Sequence, residues 1–211
     1  MRVTTRLPVA ERRAQLVSSA LDIAVAEGIS ATTIRRVAEQ AGVALGVVHY
    51  CFEDKDELFV ALATQIVDDL AAAAAAALEF DENTDLATAL QCAVNGLWDT
   101  IEAARGEQLL TYEITTYALR SPGLHHVATR QYEVSHAAAE ALLDLASSTT
   151  GAAWTRPVSE LAGEVLAIVD GVTLRWLVDG DGAAARARLR SLASYLSTQA
   201  KTARRRRKAS A

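Results

Sequence analysis

Residues 32–58 read TTIRRVAEQAGVALGVVHYCFEDKDEL, and this stretch carries the strongest structural signal in the chain. Thr32 or Thr33 is placed to cap a short helix, because apolar residues follow at helical spacing. Gly42 interrupts that helix after about two turns and supplies the positive φ that a tight turn requires. A third short segment follows the glycine and ends near Phe52. Two short helices joined by a turn that contains glycine are typical of a helix-turn-helix.

Several side chains of this motif are placed to meet nucleic acid. The third segment is too short and too mixed to be a buried helix, but it suits a helix that lies in the major groove. Its outward residues are predicted to be Ala44, Leu45, Val47, His49 and Tyr50. The hydroxyl of Thr33 and the free N–H groups near it can bind a phosphate. A phosphate beside Lys55 would offset the unfavourable position of that cation at the start of a helix.

Glycine, proline and polar clusters divide the rest of the chain into helices. The first helix begins near Pro8 and ends at Gly28, and Asp54 is placed to cap a long fourth helix. Five further helices are predicted at Leu86–Ala104, Glu107–Leu119, Leu124–Ser148, Val158–Asp179 and Ala183–Ala200. Loops are predicted at residues 81–84, 121–123 and 151–156. Because no alternating strand pattern occurs, the sequence predicts an all-α protein with about nine helices.

The composition also indicates a helical protein with a buried core. Apolar residues make up 51% of the 211 residues and aromatic residues only 5%, which favours helices over a β-sandwich or barrel. Residues 56–200 carry 20 acidic and 8 basic side chains, whereas residues 201–211 carry six basic and no acidic ones. An acidic body with more basic ends is compatible with nucleic-acid binding but does not establish it.

The sequence gives no indication of export, of a membrane anchor or of a metal site. Arg2 and Arg6 are not followed by the apolar segment of a signal peptide, and the longest apolar run, Leu70–Leu78, is too short to cross a bilayer. Cys51 and Cys92 provide neither a disulfide framework nor metal-ligand spacing. We therefore expect a cytoplasmic protein with reduced cysteines, no cofactor and no bound metal.

The motif resembles the N-terminal region of the TetR family of transcriptional regulators. The family pattern is T-x-R-x-[IV]-A-x-x-A-G-V-S-x-G-x-[LV]-Y-x-[YH]-F-x-x-K-x-x-L, and the resemblance covers about residues 10–60. It implies an all-helical homodimer in which a three-helix N-terminal domain binds an operator. A larger helical domain would carry the dimer interface and a pocket for a small-molecule inducer.

On this basis we divide the chain into a DNA-binding domain, a ligand-binding and dimerisation domain and a basic tail. Their predicted bounds are residues 1–53, 54–200 and 201–211, the last expected to be disordered. The predicted function is a ligand-responsive regulator, a repressor that binds a palindromic operator and is released by an inducer.

The resemblance also implies which side chains reach DNA. Base-edge contacts are expected from Arg35, Leu45, Val47, Tyr50 and Cys51, and phosphate contacts from Thr33, His49 and Lys55. Thr32, Arg36 and Ala44 complete the predicted DNA-binding surface. Simpler interpretations stay open at this point: a solvated helix face for the two arginines, a surface histidine, and a small packed residue for the cysteine.

The sequence departs from the family pattern at two positions. Ala44 replaces the usual hydroxyl residue, so the third helix loses a side-chain N-cap bond, and His49 replaces a tyrosine. The outward face is also unusually apolar, since Leu45 and Val47 cannot donate to base edges but can pack against a thymine methyl group. We therefore predict thymine at the operator positions that these two residues face.

The last two helices supply a candidate dimer interface. The helix predicted at Val158–Asp179 is apolar over most of its circumference, so it must be buried on two sides, one of them by a partner. The predicted interface residues are Val158, Leu161, Val165, Val169, Val172, Leu189, Leu192 and Leu196. A larger monomeric core is the alternative interpretation.

Polar and aromatic side chains of the middle helices suggest a ligand pocket, because ligand sites combine apolar walls with a few polar groups. The candidates are Trp98, Tyr112, Glu113, Tyr117, His125, Tyr132, His136, Arg175 and Trp176. Taken singly, residues of these types more often belong to plain core or surface than to a pocket.

Two other functional classes compete with a DNA-binding regulator. One is an enzyme that uses a helical cavity. Against it, the sequence shows no recognisable motif for a catalytic triad, a catalytic carboxylate pair or a phosphate-binding loop. The other is an adaptor whose helix-turn-helix binds protein. We predict that the chain is not an enzyme.

Overall fold

The computed structural model describes residues 7–76 and 84–202, and these residues confirm the predicted all-α class, with only two short strands beside the helices. Within these residues there are nine helices and two short strands. They are α1 (Val9–Glu27), α2 (Ile34–Ala41), α3 (Leu45–Cys51), α4 (Lys55–Ala76), α5 (Leu86–Ala103), α6 (Arg105–Arg120), α7 (His125–Thr150), β1 (Ala152–Trp154), α8 (Val158–Asp179), α9 (Gly182–Thr198) and β2 (Ala200–Thr202). Residues 81–83 of the predicted loop and residues 203–211 of the predicted tail lie outside the described part.

The described residues form two compact units. The first unit holds residues 7–67 and 104–134, and the second holds residues 68–76, 84–103 and 135–202. These units are defined by the contacts between residues. The functional bounds at residues 53 and 200 are a different division of the chain and stay a prediction.

The first unit is built around a core shared by α1–α4 and α6. Leu16, Val37, Val48, Phe52 and Ile114 are almost completely buried in it. Burial of large apolar side chains from elements distant in sequence is the main favourable contribution to such a fold. This core fixes the positions of the two helices of the predicted DNA-binding motif.

The turn between α2 and α3 has the backbone that the sequence predicts. Thr33 caps α2, because its Oγ1 accepts a hydrogen bond from the N–H of Arg36 at 3.1 Å. Gly42 lies in the left-handed region, at φ 66° and ψ 34°, where a side chain would be strained. The N–H of Val43 then donates to the carbonyl of Ala38 at 3.0 Å, which closes α2 and sets the direction of α3.

The second unit has a core of its own, in which α9 lies against α5 and α8. Its fully or almost fully buried residues include Trp98 on α5, Leu161 and Trp176 on α8, and Leu189 and Leu192 on α9. Arg186 of α9 binds Asp99 of α5 at 2.6 Å, at the exposed border of this core.

Two short strands are the main secondary structure that the sequence analysis missed. β1 and β2 pair in antiparallel register, with Ala153 opposite Lys201. The predicted loop at 151–156 therefore contains a strand, and the last helix ends at Thr198 rather than Ala200. Three-residue strands are too short to show an alternating pattern.

Five of the eight residues predicted for the dimer interface are not available to a partner. Leu161, Val172, Leu189, Leu192 and Leu196 are buried in the core of their own protomer. The remaining three predicted residues, Val158, Val165 and Val169, are partly buried against the same core. The apolar stripes that the sequence assigned to a partner therefore face the core of the same chain.

Among the described residues, α4 is the one helix long and apolar enough, by length and composition, to cross a membrane. Its residues Leu58, Phe59, Leu62 and Ile66 are nevertheless buried in the protein. The adjacent carboxylates of Asp68–Asp69 are also costly to place in hydrocarbon. We therefore describe α4 as a core helix.

Candidate DNA-binding surface

One face of α3 is presented to solvent and the other anchors the helix. Tyr50 is 75% exposed and Leu45 is 46% exposed, and His49 is exposed beside them. Val48 is completely buried on the opposite side. A short, anchored helix with a large exposed aromatic residue provides a rigid reading surface.

Not every predicted residue of α3 belongs to this exposed face. Ala44 is exposed at the start of the helix and has no side-chain capping bond, as the sequence predicted. Val47 is half-buried. Cys51 is only 5% exposed, so its packed interpretation is correct and its side chain cannot reach a base edge.

Thr32 must also be removed from the predicted surface. Its side chain is completely buried, and its Oγ1 donates to the carbonyl oxygen of Gly28 at 3.2 Å. It secures the turn between α1 and α2, while its neighbour Thr33 stays exposed as the cap of α2.

The two arginines of α2 have different surroundings. The Arg35 side chain is 84% exposed and pairs with Glu39 one turn away at 3.0 Å. Such an exposed pair is weak, so Arg35 can exchange it for a phosphate or a base. Arg36 instead binds Glu27 of α1 at 2.8 Å and is partly covered, which indicates a role in fastening α2 to α1.

Arg13 of α1 is a supporting residue that the sequence analysis missed. Its guanidinium donates to the carbonyl of Cys51 and binds Glu57 at 2.8 Å. It also lies 4.3 Å above the centre of the Phe52 ring. One side chain thus holds the end of α3 and the start of α4 against α1. Its partners are about 40 residues away in sequence, so no local pattern indicates them.

The start of α4 is closed by two carboxylates. Asp54 caps the helix by accepting from the N–H of Glu57 at 2.9 Å, as the sequence predicted. Glu57 in turn accepts from the N–H of Glu53 at 2.7 Å. That backbone hydrogen bond, with a smaller contribution from Arg13, holds the pKa of Glu57 below its ordinary value.

Lys55 is less available to DNA than the sequence suggested. Its ammonium group lies 4.7 Å above the centre of the Phe59 ring and 5.7 Å above that of Tyr117. Burial lowers the pKa of Lys55, an effect that Asp56 partly opposes. The aromatic rings therefore compete with any phosphate for this cation.

Helix α6 is attached to the DNA-binding motif at two places. The carboxylate of Glu113 accepts a hydrogen bond from the N–H of Ile29, in the turn before α2, at 3.3 Å. Near the start of α6, a Cβ added to Gly106 would lie 2.6 Å from a methyl carbon of Val25 on α1. A movement of α6 would therefore displace α1 and the turn that leads into α2.

The predicted pocket residues do not form one set. Five of them lie in the first unit: Tyr112, Glu113, Tyr117, His125 and Tyr132. Tyr117 packs edge-on against Phe59, with ring centres 6.0 Å apart, and Tyr132 is exposed on α7. Of these five, only His125 lines the open cleft between the starts of α4 and α7.

The other four predicted pocket residues lie in the second unit. Trp98 and Trp176 pack edge-on with ring centres 5.2 Å apart. His136 lies 3.7 Å from Glu140 on the same helix. Arg175 is exposed and binds Asp179 at 2.6 Å, which places it on the solvent side of α8 rather than in a pocket.

An open cleft of about 710 Å³ separates the start of α4 from the start of α7 in the first unit. It is lined by Glu53, Asp54, Asp56, Glu57, Val60, His125, His126, Thr129, Arg130 and Glu133. A surface with so many carboxylates repels phosphate, so it marks a limit of the DNA-facing surface. In the part of the chain that the structure describes, no group of three or more histidine, cysteine or acidic side chains could hold a metal ion.

Comparisons with known proteins agree with this geometry. Residues 16–62 match the family described as bacterial regulatory proteins, tetR family. The chain is 25% identical to the nicotine-responsive transcriptional repressor HdnoR of Paenarthrobacter nicotinovorans over 174 residues, which cover 82% of this chain and 88% of that protein. It is 32% identical to the transcriptional activator FasR of Mycolicibacterium smegmatis over 146 residues, or 69% of this chain and 64% of FasR.

A solved structure extends the similarity to the whole fold. The multidrug binding protein EbrR, complexed with imidazole, is 27% identical and superposes with a TM-score of 0.60 over 86% of this chain and 94% of EbrR. The chain belongs to the TetR family of transcriptional regulators. The regulator is thus a helix-turn-helix DNA-binding protein and not an enzyme, as the sequence predicted. Proteins of this family bind DNA and small-molecule ligands.

Proposed function

We propose that this regulator is a cytoplasmic repressor that binds a palindromic operator as a homodimer and is released by a small-molecule inducer. The observation that carries the proposal is the exposed face of α3, where Tyr50 and Leu45 project from a helix that is fixed by the buried Val48 and by Arg13. A large exposed apolar and aromatic surface on a rigid helix is costly unless it meets a partner.

The exposed residues divide into two kinds of expected contact. Leu45 and Tyr50 face the bases, where their apolar surfaces suit thymine methyl groups. Thr33 and His49 are placed for the phosphates on either side and would position the helix in the groove. Arg35, which is mostly exposed, can reach a base edge or a phosphate. Since phosphate contacts release counterions, operator affinity should fall steeply as salt increases.

Two copies are needed because one short helix reads only a few base pairs. A second half-site about 34 Å away, one turn of the duplex, supplies the remaining specificity. The exposed side of α8 offers a surface for the partner, since Ala167, Ile168, Gly171, Leu174 and Val178 follow one another along it at helical spacing. Val178 is 80% exposed, and nothing lies within 4 Å of a Cβ added to Gly171.

Release by an inducer requires that the ligand prefer one arrangement of the two reading helices over another. A ligand changes that equilibrium only as far as its affinities for the two arrangements differ. Helix α4 runs directly from the end of α3, and we propose that a ligand-dependent tilt of α4 changes the distance between the reading helices. HdnoR responds to nicotine, and EbrR was solved in complex with imidazole, which supports a small organic inducer for this regulator too.

The function is tested by selecting bound fragments from genomic DNA and measuring repression of a reporter that carries a selected fragment. Tyr50→Ala should abolish selection and repression while the far-ultraviolet circular dichroism stays unchanged, because the Tyr50 side chain is mostly exposed. Leu119→Ala, which truncates a 55% exposed residue of α6, is the matched control and should behave as wild type. Full binding and repression by Tyr50→Ala would contradict the proposal.

A further inference from the structure

Gly46 lies in the middle of the exposed face of α3. It precedes His49 by three residues and Tyr50 by four, so the three residues share one side of the helix. All three are exposed, whereas Val48 and Cys51 are buried on the other side. The surface that α3 presents to DNA therefore has no side chain at its centre.

In the part of the chain that the structure describes, no contact or backbone angle requires glycine at this position. Gly42 has a positive φ, and a Cβ added to Gly106 would meet Val25. Gly46 has an ordinary helical backbone instead. Because alanine favours a helix more than glycine does, the fold alone would be at least as stable with alanine there.

The missing side chain leaves an open space, which we call the Gly46 notch. It is bordered by Leu45, the preceding residue, and by His49 and Tyr50 one turn further on. The side chains of His49 and Tyr50 lie more than 4 Å from a Cβ added to Gly46, so neither of them covers the notch. A group about the size of one methyl could occupy this space.

The chemistry of the notch limits which part of a base pair fits it. Gly46 has no side-chain donor or acceptor, and Leu45 beside it is apolar. A polar base edge placed there would lose hydration without gaining a hydrogen bond, which is unfavourable. The apolar substituent that bases present in the major groove is the C5-methyl group of thymine.

We infer that a thymine methyl group in each operator half-site lies against Gly46, in the space that a Cβ would occupy. Gly46 is then a specificity-determining residue that the sequence analysis did not identify, and its thymine is distinct from the one that faces Leu45. This inference rests on the proposed operator binding and names one base that α3 recognises.

Exchange of two methyl groups tests the contact on the full-length protein. Gly46→Ala places a methyl group in the notch, and replacement of thymine by uracil removes one from the DNA. The thymines of the selected operator are replaced one position at a time in both half-sites, and affinity is measured by fluorescence anisotropy. At one position the wild type should prefer thymine by about fourfold, whereas Gly46→Ala should prefer uracil.

Gly46→Ala should also bind the unmodified operator about tenfold more weakly than the wild type, the effect of one unfavourable base contact. Its affinity for random DNA should stay unchanged, because that binding depends on phosphate contacts. Its urea midpoint should equal or exceed that of the wild type, which separates a lost contact from a damaged fold.

Gly163→Ala on α8 is the matched control. The added Cβ would lie 3.9 Å from Cε1 of His136, an ordinary contact within the same chain. This variant should keep the wild-type affinity for the operator and the wild-type preference for thymine at every position.

Four results would overturn the contact: wild-type operator affinity in Gly46→Ala, an equal loss of affinity for random DNA, a lowered urea midpoint, or no position at which this variant prefers uracil. Failure of the proposed function is a different result. If the preference reverses but a reporter that carries the operator is not repressed, the repressor function fails and the contact stands. If the reporter is repressed but the preference does not reverse, the contact fails and the function stands.

Discussion

At the scale of single residues, the exposed and the supporting parts of the DNA-binding surface differ in how well sequence predicts them. Tyr50 and Leu45 follow from the helical pattern of α3, and the structure places both in solvent. Cys51 has the same local pattern, but its side chain is buried in the structure. The pattern also cannot reveal Arg13, whose partners come from the end of α3 and the start of α4.

Arg13→Met should weaken operator binding although Arg13 is not placed to touch DNA. The variant keeps the apolar stem but leaves the Cys51 carbonyl and the Glu57 carboxylate without this partner. We expect a loss of about 2 kcal/mol in the free energy of unfolding, discounted for partial exposure, together with weaker DNA binding. Urea unfolding and fluorescence anisotropy measure the two effects.

Arg120→Met, at the exposed end of α6, is the control for Arg13→Met and should change neither quantity. If Arg13→Met bound the operator with wild-type affinity, the supporting role of Arg13 would be refuted.

Replacing thymine by uracil in each operator half-site should lower affinity at the positions that face Leu45. The change removes one methyl group, so the expected loss is about 0.8 kcal/mol, or about fourfold, for each such position. Binding of the substituted and parent duplexes is compared by anisotropy. The same substitutions should have no effect on Leu45→Ala, and unchanged affinity in the wild type would rule out the methyl contact.

At the scale of elements, the helix order was predictable, whereas the exact ends were not. The sequence predicts a break near Gly106, between the helices Leu86–Ala104 and Glu107–Leu119, because glycine often ends a helix. In the structure Gly106 lies inside α6, and the missing side chain allows α6 to approach Val25 of α1. The sequence alone does not distinguish a glycine that allows close helix packing from a glycine that allows a turn. The neighbouring helix must be known first.

Substitution of Gly106 by alanine should have an effect that depends on Val25. Alanine gains up to about 1 kcal/mol of helix propensity over glycine, but in the wild type the new Cβ crowds Val25 and should cancel that gain. In a Val25→Ala background the gain should appear as higher stability in urea unfolding. Equal stabilisation in both backgrounds would show that the close approach of α1 and α6 is absent in solution.

At the scale of the whole molecule, the amphipathic pattern predicted the helices but not what covers them. The apolar pattern of α8 predicted burial on two sides and assigned Leu161 and Val172 to a partner, but the structure buries these two residues in the core of their own chain. Hydrophobic periodicity indicates that one face of a helix is buried, but it does not indicate whether the same chain or a partner covers that face. The exposed stripe that contains Gly171, Leu174 and Val178 became visible only when the core was known.

Leu174→Glu combined with Val178→Glu should convert a dimer into a folded monomer. Both side chains are exposed in the single chain, so the new carboxylates should change the stability of the monomer little. In the proposed dimer the same carboxylates would be buried against a partner, which is unfavourable. Sedimentation at micromolar concentration should give the mass of two chains for wild type and 22.5 kDa for the variant.

Leu145→Glu, at a 39% exposed position of α7, should leave the dimer intact. A monomeric wild type would contradict the proposed assembly, and a dimeric double variant would exclude this face as the interface.

The central claim is that two copies of α3 read the two halves of a palindrome. The most direct measurement compares the affinity of the full-length protein, at low ionic strength, for the selected palindrome, for a single half-site and for a scrambled duplex. We predict that the palindrome binds about 10³-fold more tightly than the scrambled duplex, with the half-site between them. No preference for any palindrome over random DNA would contradict the claim.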